Sequence, residues 1–424
     1  MTKTAIFDGD VVIAGGGLAG MTLALAMDQA GLRVALVDAL EMEDQLAPTF
    51  DGRASALAYT SWRMFEALGV AEHLKPFTQR IEHILVCDGR PYGGNKPGGP
   101  GPHTLHFDRR EISEGDEGEP LGWMAENRHS RFALIQTLKS RPRITILAPA
   151  RADRYETRGD GVDLYLDDGR VLSAQLLVAC DGKFSRLRDQ ARIRTAGWQY
   201  GQKGLVATVR HALPHNGVAY EYFLPSGPFA ILPLPDNRSS LVWTEPDAVA
   251  DALRDAPEAV FQEELENRFG DFLGDVRPEG PRFSYPLGLR FSERFCDDRI
   301  AFVGDAARGI HPLAGQGFNL GIRDAAALAE VTGEAKRVGL DIGALITLRR
   351  YQDWRKFDSA SLAAGTDIFN RLFSNDIEPI RQIRGFGMSL VNKIGPARRF
   401  FMRQAGGETG DPPRLLKGQR LDAA

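Results

Sequence analysis

Residues 10–38, DVVIAGGGLAGMTLALAMDQAGLRVALVD, decide the fold. The first six form an apolar run of the kind a parallel sheet buries on both faces. Glycines stop the run, and a helical stretch, GGLAGMTLALAMDQAG, follows and closes at Gly31. A second apolar run, LRVALVD, completes a strand–helix–strand unit of about 30 residues. Within it stands Gly15-x-Gly17-x-x-Gly20, with Leu18 and Ala19 in the gap. Gly15 allows a tight turn, Gly17 lets backbone approach a pyrophosphate, and Gly20 lets the helix lie close to the strand. Phosphate oxygens then meet free N–H groups at the positive end of a helix dipole. Asp38 ends the second strand, where a carboxylate can accept hydrogen bonds from both hydroxyls of a ribose. Three such glycines alone are a weak signal. Between two strands, with the terminal acid, they predict a dinucleotide site.

Composition excludes more than it specifies. With 424 residues, 43% hydrophobic and 25% charged, the chain has room for two or three domains around sizeable cores. A net charge of −4 and a pI near 6.1 argue against a nucleic-acid partner. Cys87, Cys180 and Cys296 are far apart and form no CxxC, which points to a reducing cytosol rather than a disulfide framework or zinc site. His103 and His106 lie close together without matching ligands nearby in the sequence, so no metal is expected. MTKTAIFDGD lacks the character of a signal peptide, and no stretch reaches the roughly 18 apolar residues of a spanning helix. The expected location is cytoplasmic, at most peripheral on the inner membrane.

Further along, SALAYTSWRMFEALGV (55–70) has helical spacing, and 89–103 is a glycine- and proline-rich loop. Strands are predicted near 144–148, 162–166 and 171–180. From about 195 to 290 short alternating runs separated by turns predict an antiparallel sheet, interrupted by the helix PEAVFQEELENRFG. The predicted class is α/β: a Rossmann-type cofactor domain interleaved with an antiparallel-sheet substrate domain and followed by a helical C-terminal region. The cofactor domain takes segments 1–75, 126–192 and 291–335; the substrate domain takes 76–125 and 193–290; helices take 336–424.

A second clamp lies at 304–325, GDAARGIHPLAGQGFNLGIRDA. Gly304-Asp305 closes an apolar run, and Asp305 is placed to accept hydrogen bonds from ribityl hydroxyls. Bare backbone from Gly315 to Gly317 can lie along a flat ring system. The helix beginning near Phe318 points its positive end at that ring. An N-terminal fingerprint followed by two more glycine–acid motifs favours FAD over NAD.

These residues carry a resemblance over essentially the whole chain to the class A flavoprotein aromatic hydroxylases, which share the p-hydroxybenzoate hydroxylase fold. Within them the sequence most resembles the ubiquinone-biosynthesis hydroxylases of bacteria and eukaryotes. Three motifs occur in order. They are Gly15-Gly17-Gly20 with Asp38; Asp181-Gly182-x-x-Ser185-x-Leu187-Arg188; and Gly304-Asp305-Ala306-Ala307 through His311-Pro312-x-x-Gly315-Gln316-Gly317-Phe318-Asn319. DGRASAL, with Arg53 and Ser55, resembles a flavin-contacting segment. Glu126-Asn127-Arg128 resembles the place where the family sets an arginine near the phosphates and ribityl chain; Arg131 stands where the family commonly has an apolar residue.

The resemblance implies that NADH or NADPH reduces FAD, that O₂ adds to it, and that a flavin C4a-hydroperoxide delivers its distal oxygen to a phenol ring. It implies FAD contacts at the motif residues above and a polyprenyl-phenol substrate. No second nucleotide fingerprint is present, so NADH and NADPH stay open. So do the catalytic base and the role of His311, structural or catalytic. YEYFLPSGPFAILPLP (220–235) offers pocket walls at Tyr220, Tyr222, Phe229, Leu232 and Pro233, with plain sheet core as the competing reading. The basic, amphipathic stretch IRQIRGFGMSLVNKIGPARRFFMRQAGG (380–407) suits a membrane surface or a partner complex, or packs on the body. The alternatives are an FAD hydroxylase of a small soluble aromatic and a non-catalytic flavoprotein of a lipid-synthesis complex.

Overall fold

In a computed structural model, the opening unit forms β1 (Phe7–Ala14), α1 (Leu18–Gln29) and β2 (Val34–Val37). The structure describes residues 5–47, 49–89, 104–113, 118–309, 316–356, 392, 394–408 and 410–422. His311, Pro312, Gly315 and, of the basic C-terminal stretch, residues 380–391 and Lys393 lie outside them. Gly20 to Gln29 of α1 are all buried, because α1 is covered on one side by its own sheet and on the other by a later helix.

The chain then leaves this sheet through β3 (Ala54–Ala58), α2 (Tyr59–Leu68), β4 (Thr78–Ile81), β5 (His83–Asp88), β6 (Thr104–Asp108) and β7 (Gly122–Glu126). It returns with α3 (Asn127–Lys139), β8 (Ile144–Leu147), β9 (Ala152–Thr157), β10 (Val162–Leu166) and β11 (Val171–Ala179). A second excursion comprises β12 (Thr195–His211), β13 (Val218–Leu224), β14 (Gly227–Leu234), β15 (Arg238–Pro246), α4 (Asp247–Asp255), α5 (Glu258–Phe269) and β16 (Val276–Ser292). β17 (Cys296–Asp297), β18 (Ile300–Phe302), β19 (Arg308–Gly309), α6 (Gln316–Arg337) and α7 (Gly395–Gly406) follow.

One sheet runs β17-β18-β11-β1-β2-β8 and carries β10 and β9 on β11. β1 is parallel to both β11 and β2, and β11 is parallel to β18, so the cofactor sheet joins three separated stretches of chain. The large antiparallel sheet runs β19-β16-β12-β15-β14-β13-β5-β6, and a small one runs β3-β7-β4. Two elements differ from expectation. Residues 55–58 are strand rather than helix, because Ser55 and Leu57 pair with Ala125 and Trp123 of β7 and the helix starts only at Tyr59. β9, ADRYET, is a polar, largely exposed strand with no apolar period to announce it.

The register of the large sheet fixes which side chains share a face. Phe283, Val206, Val242, Ala230, Glu221 and Val86 form one row across β16, β12, β15, β14, β13 and β5. On that face Ala219, Ala230, Leu232 and Leu234 pack with Ile81 of β4, Met124 of β7 and Met402 of α7. Phe283 crowds Gly52, and Tyr285 lies 4.9 Å beneath the Arg53 guanidinium, so this face meets the cofactor domain. The adjacent row, Leu205, Trp243, Phe229, Tyr222 and Cys87, faces the other way into a core closed by Phe261, Leu265 and Phe269 of α5.

Four of the five expected pocket residues therefore need correction. Tyr220, Tyr222 and Phe229 belong to that far core, where Tyr220 sits 4.7 Å from Phe272 and Tyr222 stacks 6.2 Å from Phe229. Pro233 points the same way by alternation, and Leu232 lies on the near face.

Candidate functional site

The three N-terminal glycines answer to different demands. Gly15 has φ +110°, and a Cβ there would stand 2.3 Å from the Cys180 carbonyl oxygen. A Cβ on Gly20 would stand 1.9 Å from the Gly15 oxygen. Around Gly17, at the start of α1, nothing lies within 4 Å. The outer two thus serve the protein's own packing, and the middle one opens outward. Asp38 steadies the loop: its Oδ2 accepts from the Gly16 N–H at 2.6 Å, and its Oδ1 from the Leu40 N–H at 2.9 Å and Gln45 Nε2 at 3.2 Å. Leu18 and Ala19 form the first turn of α1, and Ala19 lies against Gly304 and Gly321.

The second and third motifs meet this loop. Asp181 follows Cys180, and its Oδ1 is buried without a hydrogen-bond partner. Burial pushes its carboxyl up, against the opposing pull of Ser185 and nearby backbone N–H groups. Gly182 has φ +85° and open space around it. Arg188 is buried and ties the motifs together, donating from Nη1 to the Ala306 carbonyl at 3.0 Å and from Nη2 to that of Lys183 at 3.3 Å. Gly304, with φ +62°, donates its N–H to Asp324 Oδ2 at 3.1 Å. Asp324 is itself fully buried between Arg308 (2.7 Å) and Arg355 (2.9 Å), whose charges outweigh its desolvation and hold its carboxyl down. Asp305 is reached by solvent yet ringed by protein, as at the floor of a cleft. Desolvation pushes its carboxyl up, and Arg53, Arg308 and Lys183 pull against that rise.

Arg53 enters from the start of β3, held by Asp51 at 2.8 Å. Asp51 Oδ2 also accepts from Asn127 Nδ2 at 3.0 Å and Arg131 Nη2 at 2.9 Å. Burial alone would raise the Asp51 carboxyl; Arg53, Asn127 and Arg131 hold it well below the usual range. The Ser55 hydroxyl is buried and donates to Asn127 Oδ1 at 2.7 Å. Asn319 staples α6 to β3, accepting from the Ala58 N–H at 3.0 Å and donating to the Ala56 carbonyl at 2.7 Å. Beside it Gly317 is open, and Phe318 meets Phe65 edge-on at 6.2 Å. Arg128 donates to Glu126 at 3.1 Å and keeps a buried Nε without a partner.

Asp51, Arg131, Arg308 and Asp324 are site-building residues that motif reading does not single out. Asp51 and Asp324 both stand inside stretches quoted for other residues, DGRASAL and GIRDA. Away from the cleft, His106 Nε2 lies 3.2 Å from His83 Nδ1, and Asp108 lies 3.7 Å from the same His83 atom. This trio could approach a metal ion together, although Asp108 is also engaged by Arg110.

A family model described as FAD binding domain matches residues 8–342. The chain is 45% identical over 415 residues to ubiquinone hydroxylase UbiL of Rhodospirillum rubrum, covering 97% of this chain and 93% of that one. It is 32% identical over 397 residues to 3-demethoxyubiquinol 3-hydroxylase of Escherichia coli, covering 93% and 98%. The solved structure of p-nitrophenol 4-monooxygenase PnpA from Pseudomonas putida DLL-E4 matches in fold with a TM-score of 0.76 at 17% identity, over 95% of this chain and 99% of that one.

Proposed function

The chain belongs to the FAD binding domain family, and from that premise we propose that it is an FAD-dependent monooxygenase hydroxylating the aromatic ring of a polyprenyl phenol in ubiquinone biosynthesis. NADH or NADPH and O₂ are consumed; one oxygen atom enters the ring and the other leaves as water. The observation that carries the reading is the convergence of three glycine–acid motifs on one cleft. Ala19 lies against Gly304, Gly15 lies against Cys180, and Arg188 joins the second motif to the third. The residues present fit FAD. Gly17, Gly182 and Gly317 leave open backbone where Gly15 and Gly20 are packed shut, and Asp181 Oδ1 and Arg128 Nε are buried without partners.

On this reading the N–H groups at the start of α1, from Gly17 through Ala19, hold the pyrophosphate and Asp38 holds the adenosine ribose. Arg53, Arg128, Asp181 and Asp305 serve the phosphates, ribityl chain and ring. Arg188, Ser55 and Asn319 act one step back by fixing the loops. When bound, FAD supplies the exchange of electrons with NAD(P)H and O₂ that places oxygen on an electron-rich carbon. The protein's task is to hold the phenol and exclude water. The middle of the near face, where Ala219, Ala230, Leu232, Leu234, Ile81 and Met124 are apolar, suits a prenylated ring; its cations, Arg53 over Tyr285 and Arg238 beside Glu126, are each engaged by the protein.

The prenyl tail must be drawn from a bilayer. α7 exposes Phe400 and Phe401 beside Arg399 and Arg403, while Arg398 is paired with Glu111 at 3.0 Å. We read this helix as a peripheral membrane contact. No helix among the described residues is long and apolar enough to cross a membrane.

The function is tested by profiling quinone lipids by mass spectrometry in cells lacking the gene, complemented with wild type or Asp305→Ala. Accumulation of a prenyl phenol one oxygen short, cleared by wild type alone, is the expected result. An unchanged ubiquinone profile in the deletion overturns the prenyl-phenol reading and points to a soluble aromatic. Rescue by both proteins points to a non-catalytic flavoprotein.

A further inference from the structure

We propose that Glu221 receives the proton of the substrate's ring hydroxyl; this rests on the hydroxylase reading and adds to it an acid–base residue that the motifs do not contain. Glu221 is the carboxylic acid in the middle of an otherwise aromatic and aliphatic strand, VAYEYFL. Register decides where it points. Its lateral neighbours are Ala230 on β14 and Val86 on β5, and Ala219 and Phe223 share its face along β13. This is the face whose far end carries Phe283 against Gly52 and Tyr285 beneath Arg53. The two tyrosines that flank Glu221 face away, into the core under α5. Glu221 is thus the acid that β13 presents to the side holding Arg53 and Asp305.

Among the described residues nothing partners it. The side chain is half-buried, and among the described residues no hydrogen-bond donor or cation meets the carboxyl. Its neighbours Ala219 and Ala230 pack with Ile81, Met124 and Met402, none of them ionisable. Beside it Phe223, Val86 and Leu105 form a small apolar cluster. The nearest acid along that face is Asp88, two residues beyond Val86 at the end of β5 and engaged in contacts of its own. Desolvation pushes the Glu221 carboxyl up to about 8. A carboxyl placed mid-strand among apolar groups is costly unless something satisfies it. A ligand hydroxyl delivered into the same space is the group that does so. A carboxylate of raised basicity is also a better acceptor for a phenol proton than an ordinary one.

The step balances without a further reactant. The ring O–H bond breaks, its electron pair stays on the oxygen as phenolate, and the proton passes to a Glu221 carboxylate oxygen. The phenolate donates electron density to the carbons ortho and para to it, where oxygen is to be placed. The proton returns to the product oxygen before release.

The test uses the flavin-loaded full chain at about pH 9, where the Glu221 carboxyl is ionised, with 2-geranylphenol and its O-methyl ether as probes. Binding is read by perturbation of the flavin spectrum, and turnover by product chromatography. Wild type is expected to bind the phenol about tenfold more tightly than the ether, the scale of one charge-assisted hydrogen bond. Glu221→Leu, an apolar side chain on an apolar face, removes that preference. Glu221→Gln keeps the phenol's dissociation constant within a few-fold and lowers kcat by about 10²- to 10⁴-fold. A more acidic, ring-fluorinated 2-geranylphenol recovers part of the lost turnover in Glu221→Gln, which structural damage would not allow. Wild-type turnover by Glu221→Gln, or equal binding of phenol and ether by wild type, overturns the role of Glu221 while leaving the hydroxylase reading intact. A wild type that neither binds nor hydroxylates 2-geranylphenol overturns both.

Discussion

Gly15 and Gly17 stand two residues apart and fail differently when a methyl group is added. Gly15→Ala forces a left-handed backbone, at about 1–2 kcal/mol, and drives Cβ to 2.3 Å from the Cys180 carbonyl. The parallel pairing of β1 with β11 has to give, so the flavin-free protein itself loses stability. Gly17 has φ −70° and empty space, so Gly17→Ala costs the flavin-free protein about 1 kcal/mol or less in unfolding free energy, the loss of a glycine N-cap. Its methyl group instead occupies the path of a pyrophosphate, and FAD affinity falls about tenfold or more by flavin titration. Equal flavin affinity in Gly17→Ala and wild type would remove the fingerprint loop from the cofactor site. At this scale the sequence was legible where chemistry demands one residue type, as at these glycines. It was opaque where one side chain serves another. Arg188 and Asn319 sit inside cofactor motifs, yet their side chains bind the backbone of neighbouring elements, and the Asp51–Arg131 contact spans about 80 residues with no periodic signature.

Among elements, β1, α1 and β2 were readable because continuous apolar runs and a buried helix leave few alternatives. β3 was not, since a short stretch such as SALA fits strand and helix equally and only its partner β7 decides. β13 shows a subtler limit. Alternation says that Tyr220 and Tyr222 share a face, but only packing says that this face meets α5 and that Glu221 lies on the opposite one, beside Ala230 and Val86. α7 carries its own prediction. Phe400 is 60% exposed and Phe401 39%, with Arg399 and Arg403 on the same helix. The chain is expected to float with vesicles containing phosphatidylglycerol. Binding should weaken as salt rises, each arginine near the surface contributing about 1 kcal/mol. Phe400→Ser with Phe401→Ser should abolish flotation while the flavin stays bound. Failure of the wild type to float would sink the membrane role of α7.

Over the whole molecule, the first and last parts of the chain share one core. Leu415 and Leu416 are buried among the side chains of the cofactor domain, and Leu421 donates its N–H to Gln29 Oε1 at 3.0 Å. Arg414 donates its N–H to Glu330 Oε2 at 2.7 Å. Leu415→Ala is therefore expected to destabilise the cofactor domain by about 2–5 kcal/mol in urea unfolding, as for any fully buried leucine. An effect below about 0.5 kcal/mol would show that this segment is dispensable. The same arrangement sets a schedule for manufacture. β1 leaves the ribosome early, but β11, its partner in the sheet, follows only after another 150 or so residues, and β18 more than a hundred after that. At cellular translation speeds the interval from β1 to β18 lasts roughly 15 to 60 s, during which β1 and α1 have β2 beside them but lack first β11 and then the rest of the sheet. Nascent chains of this design have to be sheltered while they wait, and flavin capture belongs to the moments after synthesis rather than to synthesis itself.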